Sequence, residues 1–148
     1  LIITILKMNN DLERMADNAV NIAQRAYELV PYHPFKLPDD FFVISRLTEM
    51  MVKDSLDSLV KSNVELARNV CKSDDDVDDL RDGLQRILTQ MAAKEPDKIE
   101  LYFNIILATR HLERIADLAT NVAEDVIYMV TGEIVRHGEK RFDKLTLK

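Results

Sequence analysis

The 148-residue chain predicts an all-α protein, an up-and-down helical bundle, on three observations. Only three glycines and four prolines are present, which leaves little turn material for a many-stranded sheet. Apolar residues recur at three-four spacing over long segments, which is the period of an amphipathic helix. The segment 112–123 repeats eight of the twelve positions of the segment 12–23, which indicates an internal duplication. We therefore expect a few long helices joined by short connections.

Composition narrows the classes of function. Apolar residues make up 47% of the chain and charged residues 31%, the balance of a soluble domain. A net charge of -6 argues against binding to a nucleic-acid backbone. The single cysteine, Cys71, excludes an intrachain disulfide and suits a reducing compartment such as the cytoplasm. No apolar run is long enough to cross a bilayer, so any association with a membrane should be peripheral.

The first helix is predicted to run from near residue 1 to about Val30. Neither a Met nor a basic segment precedes its apolar start, so we expect a fragment that begins within a helix. We expect its apolar stripe to pack on its own bundle or to cross to another chain. That stripe consists of Ile5, Leu12, Ala16, Ala19, Ile22 or Ala23, Ala26 and Val30.

A proline-rich linker over 31–38 ends this helix. Three prolines in eight residues fix the backbone and remove hydrogen-bond donors. A second helix should follow at Asp39 and Asp40, because acidic side chains complement the positive end of a helix dipole. It is expected to end near Cys71.

Two capping patterns predict the remaining helix starts. Ser73 with Asp76 resembles a capping box and should open the third helix. Asp97 with Glu100 repeats the pattern after a proline and should open the fourth. The fourth helix should end at Gly132, since glycine is common just beyond a helix C-terminus. Its apolar seam is Ile105, Leu112, Ala116, Ala119, Ala123, Val126 and Val130.

The duplication also predicts the domain organisation. Residues 39–131 contain three helices and should form a complete three-helix bundle. Residues 1–30 repeat the last of these helices, so we interpret them as the last helix of a truncated first repeat, joined through the linker 31–38. Residues 132–148 lose their periodicity and should form a C-terminal tail.

Acidic residues follow the seam of both repeated helices. Glu113, Asp117 and Asn121 are spaced four apart and share one face, and Glu13 and Asp17 repeat the pattern. Acids beside a core seam repel one another unless a positive group lies with them. The arginine that follows each glutamate points about 100° away around the helix. A metal ion is the other candidate, because carboxylates on facing helices build the metal sites of helical bundles.

The acidic run of 74–79 could supply the second helix of such a site. Asp74 and Asp78 are four apart and flank Val77 on the third helix. Alone, such a run is typical of solvated capping residues. Beside two Glu-x-x-x-Asp copies, it favours a metal site. No Glu-x-x-His pair, Gly-rich phosphate loop or nucleophile motif is present, so the sequence predicts no catalytic site.

These motifs resemble the PhoU family, the accessory regulators of bacterial phosphate uptake. The resemblance extends over about 1–137 and depends on the Leu-Glu-Arg-x-Ala-Asp copies at 12–17 and 112–117, the run at 74–78, and segments 64–67 and 127–132. It implies tandem three-helix bundles that hold multinuclear clusters of iron or zinc. Asn63 stands where the family often has Asp. The implied metal ligands are Asp74, Asp78, Glu113 and Asp117, with Asn121 as a secondary candidate, and Glu13 and Asp17 in the first repeat.

The resemblance also implies a function. Such a protein would be a non-enzymatic adaptor that couples a phosphate ABC transporter ATPase to a sensor histidine kinase and represses the phosphate-starvation response. It would act in the cytoplasm at the inner face of the membrane, as a homo-oligomer such as a dimer. Two alternatives remain open: a metal-storing or metal-dependent bundle enzyme, and a plain helical scaffold whose acids are solvated.

Overall fold

The computed structural model describes residues 2–135, and this part of the chain is helical without strands. The prediction of an all-α helical bundle is confirmed. The part of the predicted tail beyond residue 135 lies outside the described residues. Four long helices account for nearly all of the fold: α1 (Ile2–Glu28), α2 (Asp39–Lys61), α3 (Val64–Lys94) and α4 (Ile99–Thr131). Short 3₁₀ turns at Val30–Tyr32 and Pro96–Lys98 precede the second and fourth of these helices.

Helix α4 is the centre of the bundle. It packs against α1, α2 and α3, and α2 and α3 also pack against each other. Its side chains are apolar around most of the circumference, which is expected of a helix that is covered on several sides. Small residues allow the close approach, since Ala116, Ala119 and Ala123 are completely buried. The acidic face of the repeat therefore lies at the edge of the most buried helix.

Helix α1 runs antiparallel to α4. Near the start of α1, Lys7 Nζ lies 2.9 Å from Asp125 Oδ1, close to the end of α4. Near its end, Arg25 Nη1 donates to Asn104 Oδ1 at 3.1 Å, close to the start of α4. The two copies of the duplicated segment are therefore brought side by side in opposite directions. Of the two placements expected for the first helix, packing on its own bundle is the one observed.

The face that α1 buries is different from the predicted stripe. Met8, Asp11 and Met15 are buried, whereas Ile5 and Ala16 of the predicted stripe are exposed. Both faces of α1 carry apolar residues at three-four spacing, so periodicity alone does not decide which face meets α4. Leu12 and Ile22 of the predicted stripe are half-buried and pack against the core, so the buried face overlaps the predicted stripe along one edge only.

The boundary between α2 and α3 also differs from the prediction. Helix α2 ends at Lys61 and is followed by Ser62, whose φ of 49° lies in the left-handed region. Asn63 caps α3, because its side-chain oxygen accepts a hydrogen bond from Leu66 N at 3.1 Å. The predicted break at Cys71 and capping box at Ser73 are wrong, because Ser73 lies inside α3. Its hydroxyl donates back to the Asn69 carbonyl within the helix at 3.2 Å.

The start of α4 differs from the prediction, whereas its end agrees with it. No side chain caps its start at Lys98, so the predicted capping box of Asp97 and Glu100 is wrong. Glu100 instead accepts a hydrogen bond from the Tyr32 hydroxyl at 2.8 Å, which ties the linker to α4. The predicted stop at Gly132 is confirmed by its φ of 74°. Among the described residues, no helix combines the length and apolar character needed to cross a membrane.

Candidate functional site

The candidate site is a cluster of carboxylates where α3 packs against α4. On α4, Glu113, Asp117 and Asn121 follow one another along the edge of the buried face, as the four-residue spacing predicts. Glu113 and Asn121 are half-buried, while Asp117 keeps more than a third of its surface accessible. The structure places these three residues together on one side of α4.

Helix α3 supplies the opposite side of the cluster. Asp74 and Asp78 are half-buried, and Thr120 of α4 donates its hydroxyl to Asp74 Oδ1 at 3.2 Å. The two aspartates reach α4 because α3 begins ten residues earlier than the sequence predicted, so that they lie in its interior and not in its first turn. A role as solvated capping residues is therefore excluded for both.

Arg81 is the residue of this cluster that sequence reasoning missed. Its Nη2 lies 3.0 Å from Asp78 Oδ1 on the same helix and 3.5 Å from Glu113 Oε1 on α4. Its Nε is 3.3 Å from Asp82 Oδ1, within ion-pair range, although it makes no hydrogen bond there. The three-residue spacing from Asp78 to Arg81 was a signal in the sequence. The contact with Glu113 was not, since it joins two helices.

The electrostatics of the cluster reflect crowded negative charge. Partial burial, together with the neighbouring carboxylates of Asp74 and Glu113, raises the pKa of Asp117 from 3.8 to about 6. Burial alone would lower the pKa of Arg81, but Glu113 and the adjacent aspartates outweigh it and raise that pKa. The acids thus favour any cation between them, and Arg81 supplies one.

The donor set suits a hard metal ion in its chemistry, since carboxylate oxygens are the ligands such ions prefer. The arrangement is not a preformed metal site. Within residues 2–135, no three His, Cys, Asp or Glu side chains lie close enough together to hold a metal ion. Asp78 and Glu113, two of the expected ligands, are engaged by Arg81.

The first copy of the acidic motif is in a different environment. Glu13 and Asp17 are both exposed on α1, and α1 makes its main helix contact with α4. Asn121 lines a shallow depression with Asp117 and Arg114 beside α1. The structure therefore brings the α3 and α4 acids together, whereas the α1 acids are exposed.

Comparison with known proteins agrees with the sequence motifs. The family model described as PhoU domain matches residues 1–26 and 43–126. A phosphate-specific transport system accessory protein PhoU homolog of Aquifex aeolicus is 41% identical over 93% of this chain. A protein of the same name from Clostridium acetobutylicum is 35% identical over 90% of it. The chain spans 62% and 61% of the lengths of these two relatives.

Solved structures share the fold. PhoU from Pseudomonas aeruginosa superposes with a TM-score of 0.84 at 37% identity, over 90% of this chain and 64% of that one. The phosphate transport system regulatory protein PhoU from Streptococcus pneumoniae gives a TM-score of 0.81 at 25% identity, over 91% and 64% of the two chains. With a family model that matches most of its length and relatives at this level of identity, the chain belongs to the PhoU family.

Proposed function

We propose that this chain is part of a non-enzymatic regulator of phosphate uptake and of phosphate-starvation signalling. The observation that carries the proposal is the similarity over nine-tenths of the chain to proteins named as accessory to phosphate-specific transport. In this function the protein couples a phosphate ABC transporter ATPase to a sensor histidine kinase in the cytoplasm, peripheral to the membrane. It represses the starvation response when phosphate is abundant.

The repeat supports a matching domain organisation. Residues 1–30 would be the last helix of a first repeat, 31–38 the linker, 39–131 the second three-helix bundle and 132–148 a tail. The antiparallel packing of α1 on α4 supports this view, because equivalent helices of two repeats would meet there. The exposed apolar residues on the free face of α1, such as Leu6 and Val20, support coverage by further helices or by a second copy in a homo-oligomer.

The test of the regulatory role uses the full-length parent protein in a bacterium that lacks its own family member. A phosphate-starvation reporter is measured at high phosphate, and the transporter ATPase and sensor kinase are assayed for co-purification. We expect the parent protein to repress the reporter and to retain both partners. Constitutive reporter expression with neither partner retained would contradict the proposal.

A second part of the proposal concerns metal. Asp74, Asp78, Glu113 and Asp117 would hold iron or zinc, whose positive charge would relieve the repulsion among these carboxylates. The donor chemistry and the convergence of α3 and α4 support it. The bound ion would strengthen the α3–α4 contact, because each helix would contribute ligands to it.

Elemental analysis of the purified chain tests the metal. The double variant Glu113→Gln with Asp117→Asn should lose the bound metal. The matched control is Glu13→Gln with Asp17→Asn, which makes the same changes in the exposed copy and should retain it. Equal metal content in both double variants would contradict a site between α3 and α4, and metal-free wild-type protein would favour the plain scaffold.

A further inference from the structure

Helix α1 is attached to the rest of the bundle by a contact with little apolar burial. Of its 27 residues, three are buried, namely Met8, Asp11 and Met15, and Leu12 and Ile22 are half-buried against the core. Helix α2 buries five of 23 residues and α4 buries 15 of 33. A helix that buries few apolar side chains gains little free energy on docking, so α1 is the element of this bundle that separates most easily.

One of the three buried positions of α1 holds a carboxylate. The Asp11 side chain is 4% exposed, and its Oδ2 has no hydrogen-bond partner among the described residues. Its Oδ1 accepts a long hydrogen bond of 3.4 Å from Arg14, whose side chain is largely exposed. A buried carboxylate with such weak compensation costs free energy that burial of an apolar side chain would not. Asp11 therefore opposes the docking of α1 on α4.

Helix α4 brings a second carboxylate to the same part of the contact. Asp125 Oδ1 accepts a hydrogen bond from Lys7 Nζ at 2.9 Å. Lys7 and Asp11 are four residues apart on α1, so Asp125 lies opposite the turn that carries Asp11. The Oδ2 atom of Asp125 is also buried, and within residues 2–135 it too has no hydrogen-bond partner. Two incompletely paired carboxylates thus lie where two helices of the bundle pack against each other.

We infer that the α1–α4 contact is a releasable joint, in which α1 separates from α4 while α2, α3 and α4 stay packed, and that Asp11 sets how readily it opens. The polar pairs that cross the contact, Arg25 with Asn104 and Asn18 with His111, can exchange their hydrogen bonds for water with little net loss. Where α1 ends a preceding repeat, as proposed above, opening changes the arrangement of the two repeats without unfolding the second. The joint itself depends neither on a bound metal nor on a partner protein.

Two variants of Asp11 test its part in the joint. Asp11→Asn keeps the shape of the side chain, removes its charge and supplies an amide that can donate to Asp125 Oδ2. Because a buried polar group without partners shifts an equilibrium by roughly tenfold or more, Asp11→Asn should lower the opening equilibrium constant of α1 by about tenfold. Asp11→Leu carries no polar atom at this position and should act in the same direction.

The matched control is Asp17→Asn. Asp17 lies on the same helix but is exposed, so the variant makes the same change of net charge outside the contact. An effect of overall charge should appear equally in Asp11→Asn and Asp17→Asn, whereas an effect of the buried carboxylate should appear only at Asp11.

The experiment is native-state hydrogen exchange of the 148-residue chain in chelator, read by mass spectrometry of peptides within 9–24 of α1 and 112–126 of α4. Circular dichroism establishes that each variant is folded. Lower protection of α1 than of α4 in wild-type protein, together with slower α1 exchange in Asp11→Asn or Asp11→Leu but not in Asp17→Asn, would support the inference. Equal protection of α1 and α4 in wild-type protein would show one cooperative unit and overturn the joint. If α1 is less protected but neither Asp11 variant slows its exchange, the role of Asp11 is refuted.

Discussion

Asp117 provides a direct test of the electrostatics of the cluster. The change Asp117→Asn removes one negative charge while keeping the shape of the side chain. Partial burial, followed by the carboxylates of Asp74 and Glu113, raises the pKa of Asp117 in the folded protein to about 6 from 3.8. The folded state therefore holds more protons than the unfolded state between these pH values, and stability falls as the pH rises through that window.

The effect of the Asp117 charge on the free energy of unfolding can be bounded from the two pKa values. The difference between the two pKa values corresponds to about 3 kcal/mol if it acts in full. More than a third of Asp117 is accessible to solvent, so screening reduces the effect to about 1 kcal/mol. For a domain of this size, that change in the free energy of unfolding corresponds to a change in Tm of about 2–4 °C. In the presence of a chelator near pH 7, we expect Asp117→Asn to raise Tm by about this amount.

The assay is thermal unfolding, followed by far-ultraviolet circular dichroism across a series of pH values in chelator. The gain should shrink as the pH falls below 6 and should disappear below about pH 3, where Asp117 is protonated in both states. Asp17→Asn is the control, because Asp17 occupies the equivalent position of the first repeat and is exposed on α1. A Tm for Asp117→Asn that equals or falls below that of wild type near pH 7 would refute the reasoning.

Three further predictions concern packing and local structure. Ala116→Leu should overpack the buried face of α4 and lower the free energy of unfolding, measured by urea denaturation, by about 1–3 kcal/mol. Ala16→Leu, on the exposed face of α1, should change it by less than about 0.5 kcal/mol. Asn63→Ala should lower the free energy of unfolding by about 1 kcal/mol, because it removes the cap of α3. Ser73→Ala, within α3, should lower it by less than about half as much. The reverse order would contradict the observed helix boundary. Burial raises the pKa of the Cys71 thiol to about 12, so mass spectrometry should find it unmodified by iodoacetamide in native protein and alkylated in urea.

Much of the fold was accessible from the sequence, because strong local signals determine it. The long three-four periodicity predicted helices, and the clustered prolines and Gly132 predicted where two of them end. The turn between α2 and α3 was not predicted, since it is formed by Ser62 and Asn63 without a glycine or proline. The buried face of α1 was also missed, because its two apolar faces give similar patterns and only the contact with α4 distinguishes them.

The candidate site was predictable in part. Helical spacing correctly placed Glu113 and Asp117 on one face of α4, and it placed Asp74 and Asp78 on one face of α3. Spacing within one helix carries no information about a partner on another. The pairing of Arg81 with Glu113 depends on the register between α3 and α4, which no local motif encodes. From the sequence, the arginine adjacent to each glutamate (Arg14 or Arg114) and a metal ion were the expected compensating charges, whereas in the structure Arg81 is paired with Glu113.

The two copies of the repeat show that the motif does not determine its own chemistry. Glu13 and Glu113 have nearly the same neighbours in sequence, yet Glu13 is exposed, whereas Glu113 faces α3 and its Arg81. The difference is supplied by the helix that packs beside each copy. It follows that a change on α3, at Arg81 or Asp78, alters the charge of the cluster while the repeated Glu-x-x-x-Asp motif stays the same. The net charge of the cluster therefore depends on α3 as well as on the repeated motif.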